Sequence, residues 1–353
     1  MFEVYAQTRY RREEQIGTGE GMNSIVYRAF DPYLEREIAV KEIEKSRFGN
    51  DFAAYCAEAR AMFGLADPHI VPINYVCETA DHVGLALPYF PKGSLKGRIA
   101  DGPLDFKRFL KLSNDVFSGV SRIHSQRFLH LDLKPSNVLF DETDRALIAD
   151  FGQARRISAR GDVKFPEMYR WATPPEVWDT HIATVETDIY QVGVLLYRAA
   201  NGDPVYLAQK DQISTNSELQ KKIARGKFPD PNLFLPHVPA RVRTIIRKAM
   251  RVDPANRYHS VSEMAADLRR VPLTLNWRIQ HLGNGSYKWL AERKNGSQIE
   301  VELRQSSPAK WESNVWTLGE QRRAKGLSEY WEKNMRYSEA CRHLTEVFAD
   351  LGA

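Results

Sequence analysis

Apolar residues recur along the chain with two different periods, and each period predicts a different kind of element. Short runs rich in β-branched residues at 24–27, 37–41 and 83–87 predict strands of an antiparallel sheet. Longer stretches with helical spacing at 106–123 and 183–200 predict helices. Because the strands come first and the helices follow, residues 10–271 are expected to form one α+β unit.

The end of this unit is marked by a predicted helix at 260–271. Ser260 and Glu263 have the spacing of a capping box, one face of the helix is apolar, and Pro272 stops it. We therefore place a domain boundary at Pro272, with residues 1–9 as an N-terminal extension.

Residues 273–353 have a different composition, with five of the seven tryptophans. Alternating stretches at 287–291 and 298–303 predict strands, and helical spacing at 337–351 predicts a closing helix. Turn residues at 283–285 and 295–296 flank the strands. The region is expected to be a small accessory α+β domain, and its tryptophans favour core packing over a ligand cage because a small domain needs bulky buried residues.

Composition excludes several classes of protein. The chain has 353 residues, of which 43% are hydrophobic and 27% charged, as in ordinary soluble globular proteins. No apolar run reaches the length of a membrane span, and no apolar signal core is expected near the start. Cys56, Cys77 and Cys341 are scattered and odd in number, which favours a reducing cytoplasm over a disulfide framework. The net charge of +5 is too small to indicate nucleic-acid binding.

Two short segments of the strand region have residues suited to phosphate groups. Gly17, Gly19 and Gly21 let backbone amides approach phosphate oxygens closely, although a glycine-rich hairpin without a ligand is the alternative. Lys41 ends an apolar strand and places an ammonium group in a partly dry cleft. Glu58 lies in a following helical pattern and can supply the counter-charge, because an unpaired buried charge is costly. A surface lysine is the alternative interpretation.

A polar loop follows the first long helix. Asp132 and Asn137 flank a proline-bearing turn and can direct a carboxylate and an amide oxygen into one site. Lys134 lies between them and can offset phosphate charge. Asp150 follows the next predicted strand, and its carboxylate together with Asn137 makes an oxygen site suited to Mg²⁺.

This ordered pattern resembles the eukaryotic-type, or Hanks-type, serine/threonine protein kinases, and in particular their bacterial members. The resemblance spans residues 10–271 and continues in the segments at 174–176, 188–193 and 253–257. In the family the arginine of the last segment, here Arg257, pairs with the glutamate at 176. The resemblance implies a bilobal protein kinase fold, with an N-lobe at 10–88 and a C-lobe at 93–271.

The resemblance also implies ATP and Mg²⁺ as cofactors and assigns roles to single residues. Asp132 would accept the proton of the substrate hydroxyl, and Lys41 would hold the α- and β-phosphates while pairing with Glu58. Lys134 would point to serine or threonine acceptors. Asn137 and Asp150 would be the metal ligands. The nucleotide would be bound by Ile16, Gly17, Gly19, Gly21, Val26, Ala39, Lys41, Leu87, Tyr89 and Leu139.

The chain departs from the family pattern at three places. The glycine-rich loop carries two extra residues, so either Gly17 or Gly19 opens the motif. Leu131 replaces the arginine that usually receives an activation-loop phosphate, and Tyr169 stands where the family has serine or threonine. The segment at 155–164 is basic, which favours either acidic substrates or a solvated face.

Taken together, these features predict a cytoplasmic serine/threonine protein kinase that acts on a protein substrate. The C-terminal domain would dock a protein partner or regulate the kinase, while membrane and nucleic-acid partners are not expected. The alternative is a nucleotide-binding pseudokinase scaffold that acts through protein interaction. A small-molecule kinase of the aminoglycoside type is disfavoured by Lys134 and the Pro-Pro-Glu segment ending at Glu176. Because the kinase motifs end at Arg257, catalysis is expected to need nothing beyond Pro272.

Overall fold

The computed structural model describes residues 8–17, 24–47, 63–166, 170–272, 275–318 and 324–352. In these residues the chain has an α+β structure, with a strand-rich N-terminal lobe, a larger helical lobe and a C-terminal sheet covered by a helix. The fold class expected from the sequence is therefore confirmed. Among the described helices, none combines the length and the apolar character that crossing a membrane requires.

The described part of the N-terminal lobe is a five-stranded antiparallel sheet with the order β1-β2-β3-β5-β4. Its strands are β1 (Arg11–Ile16), β2 (Ile25–Asp31), β3 (Arg36–Glu44), β4 (Tyr75–Glu78) and β5 (His82–Pro88). Alternation along β3 buries Ile38 and Val40 on one face, against Ala29 and Ala86. The opposite face therefore carries Lys41, which lies opposite Val26 of β2 and Leu85 of β5.

The helical lobe begins with a short helix and a long amphipathic one, whose first turn is capped by Asp105 accepting from the Arg108 amide at 3.0 Å. Its helices are α1 (Leu95–Arg98), α2 (Phe106–Ser125), α3 (Pro175–Thr180), α4 (Val185–Asn201), α5 (Asp203–Lys210), α6 (Asn216–Ala224), α7 (Ala240–Ala249) and α8 (Val261–Arg269). Short strand pairs between α2 and α4 carry the polar loops: β6 (Phe128–Leu129) with β9 (Arg155–Arg156), β7 (Val138–Phe140) with β8 (Ala146–Ile148), and β10 (Val163–Lys164) with β11 (Ile182–Ala183).

The C-terminal region is an antiparallel sheet that packs against one helix. Within the described residues the sheet contains β12 (Arg278–Gly283), β13 (Ser286–Glu292), β14 (Gln298–Ser307), β15 (Lys310–Leu318), β16 (Ala324–Gly326) and β17 (Glu332–Met335), and the helix is α9 (Tyr337–Asp350). Trp289, Trp311 and Trp277 are buried, as expected for core residues, although Trp277 precedes β12 and does not lie on a strand.

One hydrophobic core runs from the helical lobe into the C-terminal sheet. At the junction the His237 ring lies 6.2 Å from Trp289 and 6.3 Å from Phe348, measured between ring centroids. The Asn276 side chain accepts a hydrogen bond at 2.9 Å from the Lys107 amide in the first turn of α2. The domain boundary at Pro272 stays a prediction, and the two regions share buried surface across it.

The capping box predicted at the start of α8 forms only in part. Ser260 Oγ accepts from the Glu263 amide at 3.3 Å, as expected. The reciprocal bond differs, because the Glu263 carboxylate accepts from the amide of His259 at 3.2 Å. The start of the helix was therefore predicted correctly, but the Glu263 carboxylate accepts from the amide of His259 and not from that of Ser260.

Candidate active site

The loop that carries Asp132 is anchored by a buried carboxylate from α4. Asp188 accepts hydrogen bonds from the amides of His130 and Leu131, both at 2.9 Å, and from His124 Nε2 at 2.8 Å. Burial alone raises the pKa of Asp188, but these donors outweigh it and hold the pKa below its usual value. A fixed negative charge therefore orients the backbone of the loop.

Gln191, one helical turn further along α4, completes this anchor. Its side chain donates to the Leu131 carbonyl at 2.8 Å and accepts from the Leu133 amide at 3.0 Å. These contacts hold Leu131 at φ 66°, a left-handed conformation that is costly for a leucine. Gln191 and His124 were not among the site residues predicted from the sequence. The available signal was the spacing of Asp188 and Gln191, which places both side chains on one helix face.

Asp132, Lys134 and Asn137, which the sequence analysis placed in one site, contact one another in a buried polar group. Lys134 Nζ lies 2.9 Å from Asp132 Oδ2, and Asn137 Nδ2 donates to the same oxygen at 2.9 Å and to the Asp132 carbonyl at 2.8 Å. Burial raises the pKa of Asp132, and the Lys134 charge opposes that rise. A carboxylate with a raised pKa is suited to accept a proton.

Lys41 and Asp150 face each other across the two lobes. Lys41 Nζ donates to Asp150 Oδ1 at 2.7 Å, and the Gly152 amide donates to the same oxygen at 3.3 Å. Burial favours the protonated acid, but the Lys41 charge and its hydrogen bond outweigh burial and lower the pKa of Asp150 to about 2. Asp150 is therefore ionised at neutral pH. The predicted partner of Lys41, Glu58, lies outside the described residues.

The backbone brings Asp150 next to Asn137. The Ala149 amide donates to the Asn137 carbonyl at 2.9 Å, and the buried His130 ring lies 3.1 Å from the Ala149 carbonyl. Because Asn137 turns its nitrogen to Asp132, its amide oxygen faces away from that carboxylate. An ionised carboxylate and an amide oxygen on adjacent segments fit the oxygen preference of a divalent cation such as Mg²⁺.

Apolar side chains line the cleft between the lobes. Ala39 lies opposite Leu87 in the sheet, and Leu87 packs with Leu139 and Phe90 against the buried Val71. Val26 is half-buried on β2, opposite Lys41 of β3. Ile16 ends β1, Gly17 follows at φ 66°, and Tyr89 follows β5 with its ring 6.0 Å from the Arg28 guanidinium. Gly19 and Gly21 lie outside the described residues.

Leu131 lies in a small apolar cluster that includes Phe165 of the activation segment, residues 153–173. Its buried side chain packs with Leu129, Phe165, Val177 and Ala183. A hydrocarbon side chain in such a cluster offers no donor for a phosphate. Tyr169, the other departure from the family pattern in this segment, lies outside the described residues, while Thr173 is buried.

The basic part of the activation segment borders an open cleft of about 790 Å³. Arg155, Arg156, Lys164 and His181 line it together with Ser158. Ser158 Oγ donates to Asp162 Oδ1 at 2.6 Å, which closes a local turn. The preference for acidic substrates suggested by this charge stays a prediction.

The comparisons with known proteins agree with this geometry. The family model for the protein kinase domain matches residues 10–267. The chain is 30% identical over 278 residues to the serine/threonine-protein kinase PrkC of Bacillus subtilis, an alignment that covers 74% of this chain and 40% of the relative. It is 29% identical over 271 residues to the probable serine/threonine-protein kinase PknB of Lactococcus lactis, covering 74% of this chain and 41% of the relative.

A third relative gives a longer alignment. The serine/threonine-protein kinase PknD of Chlamydia caviae is 28% identical over 316 residues, covering 80% of this chain and 32% of the relative. The match therefore spans less than half the length of each of these curated relatives.

Proposed function

The chain belongs to the protein kinase family, and from this premise we propose that it is a serine/threonine protein kinase that transfers the γ-phosphoryl group of ATP to a protein hydroxyl. The observation that carries the proposal is the pair of charged groups at the cleft. They are the Lys41–Asp150 contact and the buried Asp132–Lys134–Asn137 group. Phosphoryl transfer depends on positioning and charge stabilisation, and these side chains supply both.

Each side chain then has a role. Lys41 binds the α- and β-phosphates, and Asp132 accepts the proton of the attacking hydroxyl while Lys134 offsets charge on the transferred group. Asn137 and Asp150 would hold Mg²⁺, which neutralises phosphate charge when bound. The half-buried Val26, Ala39, Leu87 and Leu139 are proposed to contact the adenine ring. Ile16, Gly17, Gly19, Gly21 and Tyr89 are proposed to complete the nucleotide site, and Glu58 to pair with Lys41.

A nucleotide-binding scaffold is the rival function. A scaffold needs a cleft for the nucleotide, but it has no use for a proton acceptor and metal ligands as a set. The retention of Asp132, Asn137 and Asp150 therefore favours the enzyme. The cytoplasmic location and the docking or regulatory role of residues 273–353 stay predictions.

The test is phosphoryl transfer by the purified full chain. Labelled ATP, MgCl₂ and a generic protein acceptor are incubated with the protein, and the labelled amino acids are identified. We expect phosphoserine or phosphothreonine, and no transfer by Lys41→Met or Asp150→Asn. Lys111→Met changes an exposed lysine on α2 and serves as the matched control. Nucleotide binding without transfer, or near-normal turnover by Asp150→Asn, would contradict the proposal.

A further inference from the structure

A second cleft lies between the helical lobe and the C-terminal sheet, away from the candidate active site. Its volume is about 770 Å³. Helix α5 and the loop at 232–235 form one wall, and the β12–β13 turn with α9 forms the other. Small-molecule sites have volumes of roughly 300–1,000 Å³ and occur preferentially between domains. The size and the location of the cleft are therefore those of a ligand site.

Aromatic rings line this cleft and are held by further rings behind them. Tyr287 lies 4.9 Å from the His281 ring and 5.6 Å from Trp289, while Tyr337 contacts Trp311 edge to face at 4.9 Å, all measured between ring centroids. Phe234, from the helical lobe, is buried in the opposite wall. These walls are suited to a flat apolar group, since fixed aromatic rings favour stacked or edge-to-face contacts.

Arg243 is a cation of the cleft for which the described residues supply no carboxylate partner. The Arg243 guanidinium donates through Nε to the Val238 carbonyl and through Nη2 to the Pro236 carbonyl, both at 2.7 Å. Nη2 also donates to the Leu235 carbonyl at 3.5 Å. These contacts fix the orientation of the guanidinium but bring no negative charge, and among the described residues the ionisable groups that influence the pKa of Arg243 are Arg247 and Cys341 and include no carboxylate. Burial lowers the pKa of Arg243, and the neighbouring Arg247 lowers it further.

The other two charged side chains of the cleft add no net charge to it. Arg342 and Glu346 are exposed, carry opposite charges and lie one turn apart on α9. The half-buried Arg243 therefore sets the charge of the interior. Nε and Nη2 of Arg243 already donate to backbone carbonyls, so Nη1 is the nitrogen through which it can donate to a ligand. A half-buried, oriented guanidinium favours an anionic group such as a carboxylate, because a charge-assisted hydrogen bond is stronger than a neutral one.

We propose that this cleft binds a small aromatic carboxylate, with the carboxylate on Arg243 and the ring against Tyr287 and Tyr337. The site is separate from the nucleotide cleft, and the proposal does not depend on the kinase reaction. It accounts for an oriented guanidinium in a cavity with aromatic walls, to which the described part of the chain brings no carboxylate.

Calorimetry with the full chain tests the proposal. The probe is 2-naphthoate, and its neutral counterpart is 2-naphthalenemethanol. We expect one 2-naphthoate per chain and binding at least about tenfold tighter than for the alcohol, because the charge-assisted hydrogen bond is lost with the carboxylate. Arg243→Gln should weaken 2-naphthoate binding by a similar factor, while Arg243→Lys should retain part of it. Failure of 2-naphthoate to bind, or equal affinity for the acid and the alcohol, would overturn the proposal.

If Arg243→Gln fails to fold, a second variant tests whether 2-naphthoate binds in this cleft. Ala208 is an exposed residue of the cleft wall, and Ala208→Trp fills the cavity without removing a side-chain hydrogen bond. This variant should abolish 2-naphthoate binding and keep the circular dichroism spectrum. Cys341 lines the same cleft and reports on occupancy, because bound 2-naphthoate should slow its alkylation in the unmodified chain. Unchanged binding by Ala208→Trp together with unchanged alkylation would place the probe elsewhere and overturn the proposal.

Discussion

Arg257 and Glu176 form a bidentate ion pair although they lie 81 residues apart in the chain. The two nitrogen–oxygen distances are 2.8 and 2.7 Å. Arg257 also donates to the carbonyls of Arg251, Val252 and Glu186. The pair therefore ties the end of the activation segment to the segment before α8, as the family resemblance implied.

Breaking this pair should destabilise the fold. Arg257→Met leaves the Glu176 carboxylate without its partner, and we expect a loss of about 3 kcal/mol in the free energy of unfolding, as for a broken buried pair. The measurement is urea unfolding. Arg270→Met breaks the exposed pair with Asp267 and is the matched control, with an expected loss below about 1 kcal/mol. Equal losses in the two variants would contradict the prediction.

Much of the candidate site was predictable because its residues occur in short segments with a fixed order. Asp132, Asn137 and Asp150 are examples, since neighbouring strands and turns bring them together. The surroundings of Leu131 were not predictable in the same way. Its apolar cluster depends on Phe165 and Val177, which reach it only through tertiary packing. The surroundings of Arg243, to which no described residue brings a carboxylate, likewise depend on which distant segments meet.

Activity should not require phosphorylation of the activation segment. The side chain of Leu131 is a hydrocarbon in an apolar cluster, so a phosphate on the activation segment cannot act through the position where the family has its arginine. The basic residues that line the cleft beside Ser158 could hold a phosphate there, but they do not connect it to the Asp132 loop through Leu131. Phosphatase-treated protein and the Ser158→Ala variant should therefore keep the initial rate of the untreated protein. The rates are measured with labelled ATP. A large loss in both samples would refute this expectation.

The acid limb of the pH–rate profile should reflect the ionisation of Asp132. Asp132→Asn should cost about 10²- to 10⁴-fold in rate, the range for a positioned general base. Lys134 opposes the raised pKa of Asp132, so Lys134→Met should raise that pKa further. Because Asp132 accepts a proton only when ionised, the acid limb of kcat/KM should move to higher pH in Lys134→Met. An unchanged acid limb in that variant would show that another group controls it.

His237 should make the stability of the protein depend on pH. Burial lowers the pKa of His237 to about 3, and Arg243 adds to this effect. In the unfolded chain this histidine is protonated as pH falls through 6.5, whereas in the folded chain it stays neutral until about pH 3. The contribution of this histidine to the free energy of unfolding therefore has its full value above pH 6.5 and decreases as pH falls from 6.5 towards 3. We expect a decline of about 1.4 kcal/mol in the free energy of unfolding per pH unit below 6.

The measurement is urea unfolding of the full chain and of His237→Leu between pH 7 and pH 5. The variant should lose the part of the slope that belongs to His237. His259→Asn changes an exposed histidine on the same lobe and is the control. The prediction fails if the slope of His237→Leu matches that of the unmodified chain.

The C-terminal region was expected from sequence to be dispensable for catalysis, and the shared core changes what its removal should do. Phe348 and Trp289 are almost fully buried, and both contact His237 of the helical lobe. Asn276, which lies beyond the proposed boundary, also accepts a hydrogen bond from the Lys107 amide in the first turn of α2. Removing residues 273–353 therefore exposes apolar surface on the lobe and leaves the Lys107 amide without this acceptor.

We predict that a chain ending at Pro272 has a lower melting temperature and lower solubility than the full chain. Its folded fraction should still bind ATP with Mg²⁺, because all the residues of the nucleotide cleft precede the truncation. Phe348→Ala in the full chain opens the same junction without deleting the domain, and it should cost about 3–5 kcal/mol in the free energy of unfolding. Melting temperature, solubility and nucleotide affinity are measured for both proteins. If the truncated chain matches the full chain in melting temperature and solubility, residues 273–353 are a separable docking domain. If it folds but loses nucleotide binding, the C-terminal region supports the cleft itself, and the independence of the kinase motifs is refuted.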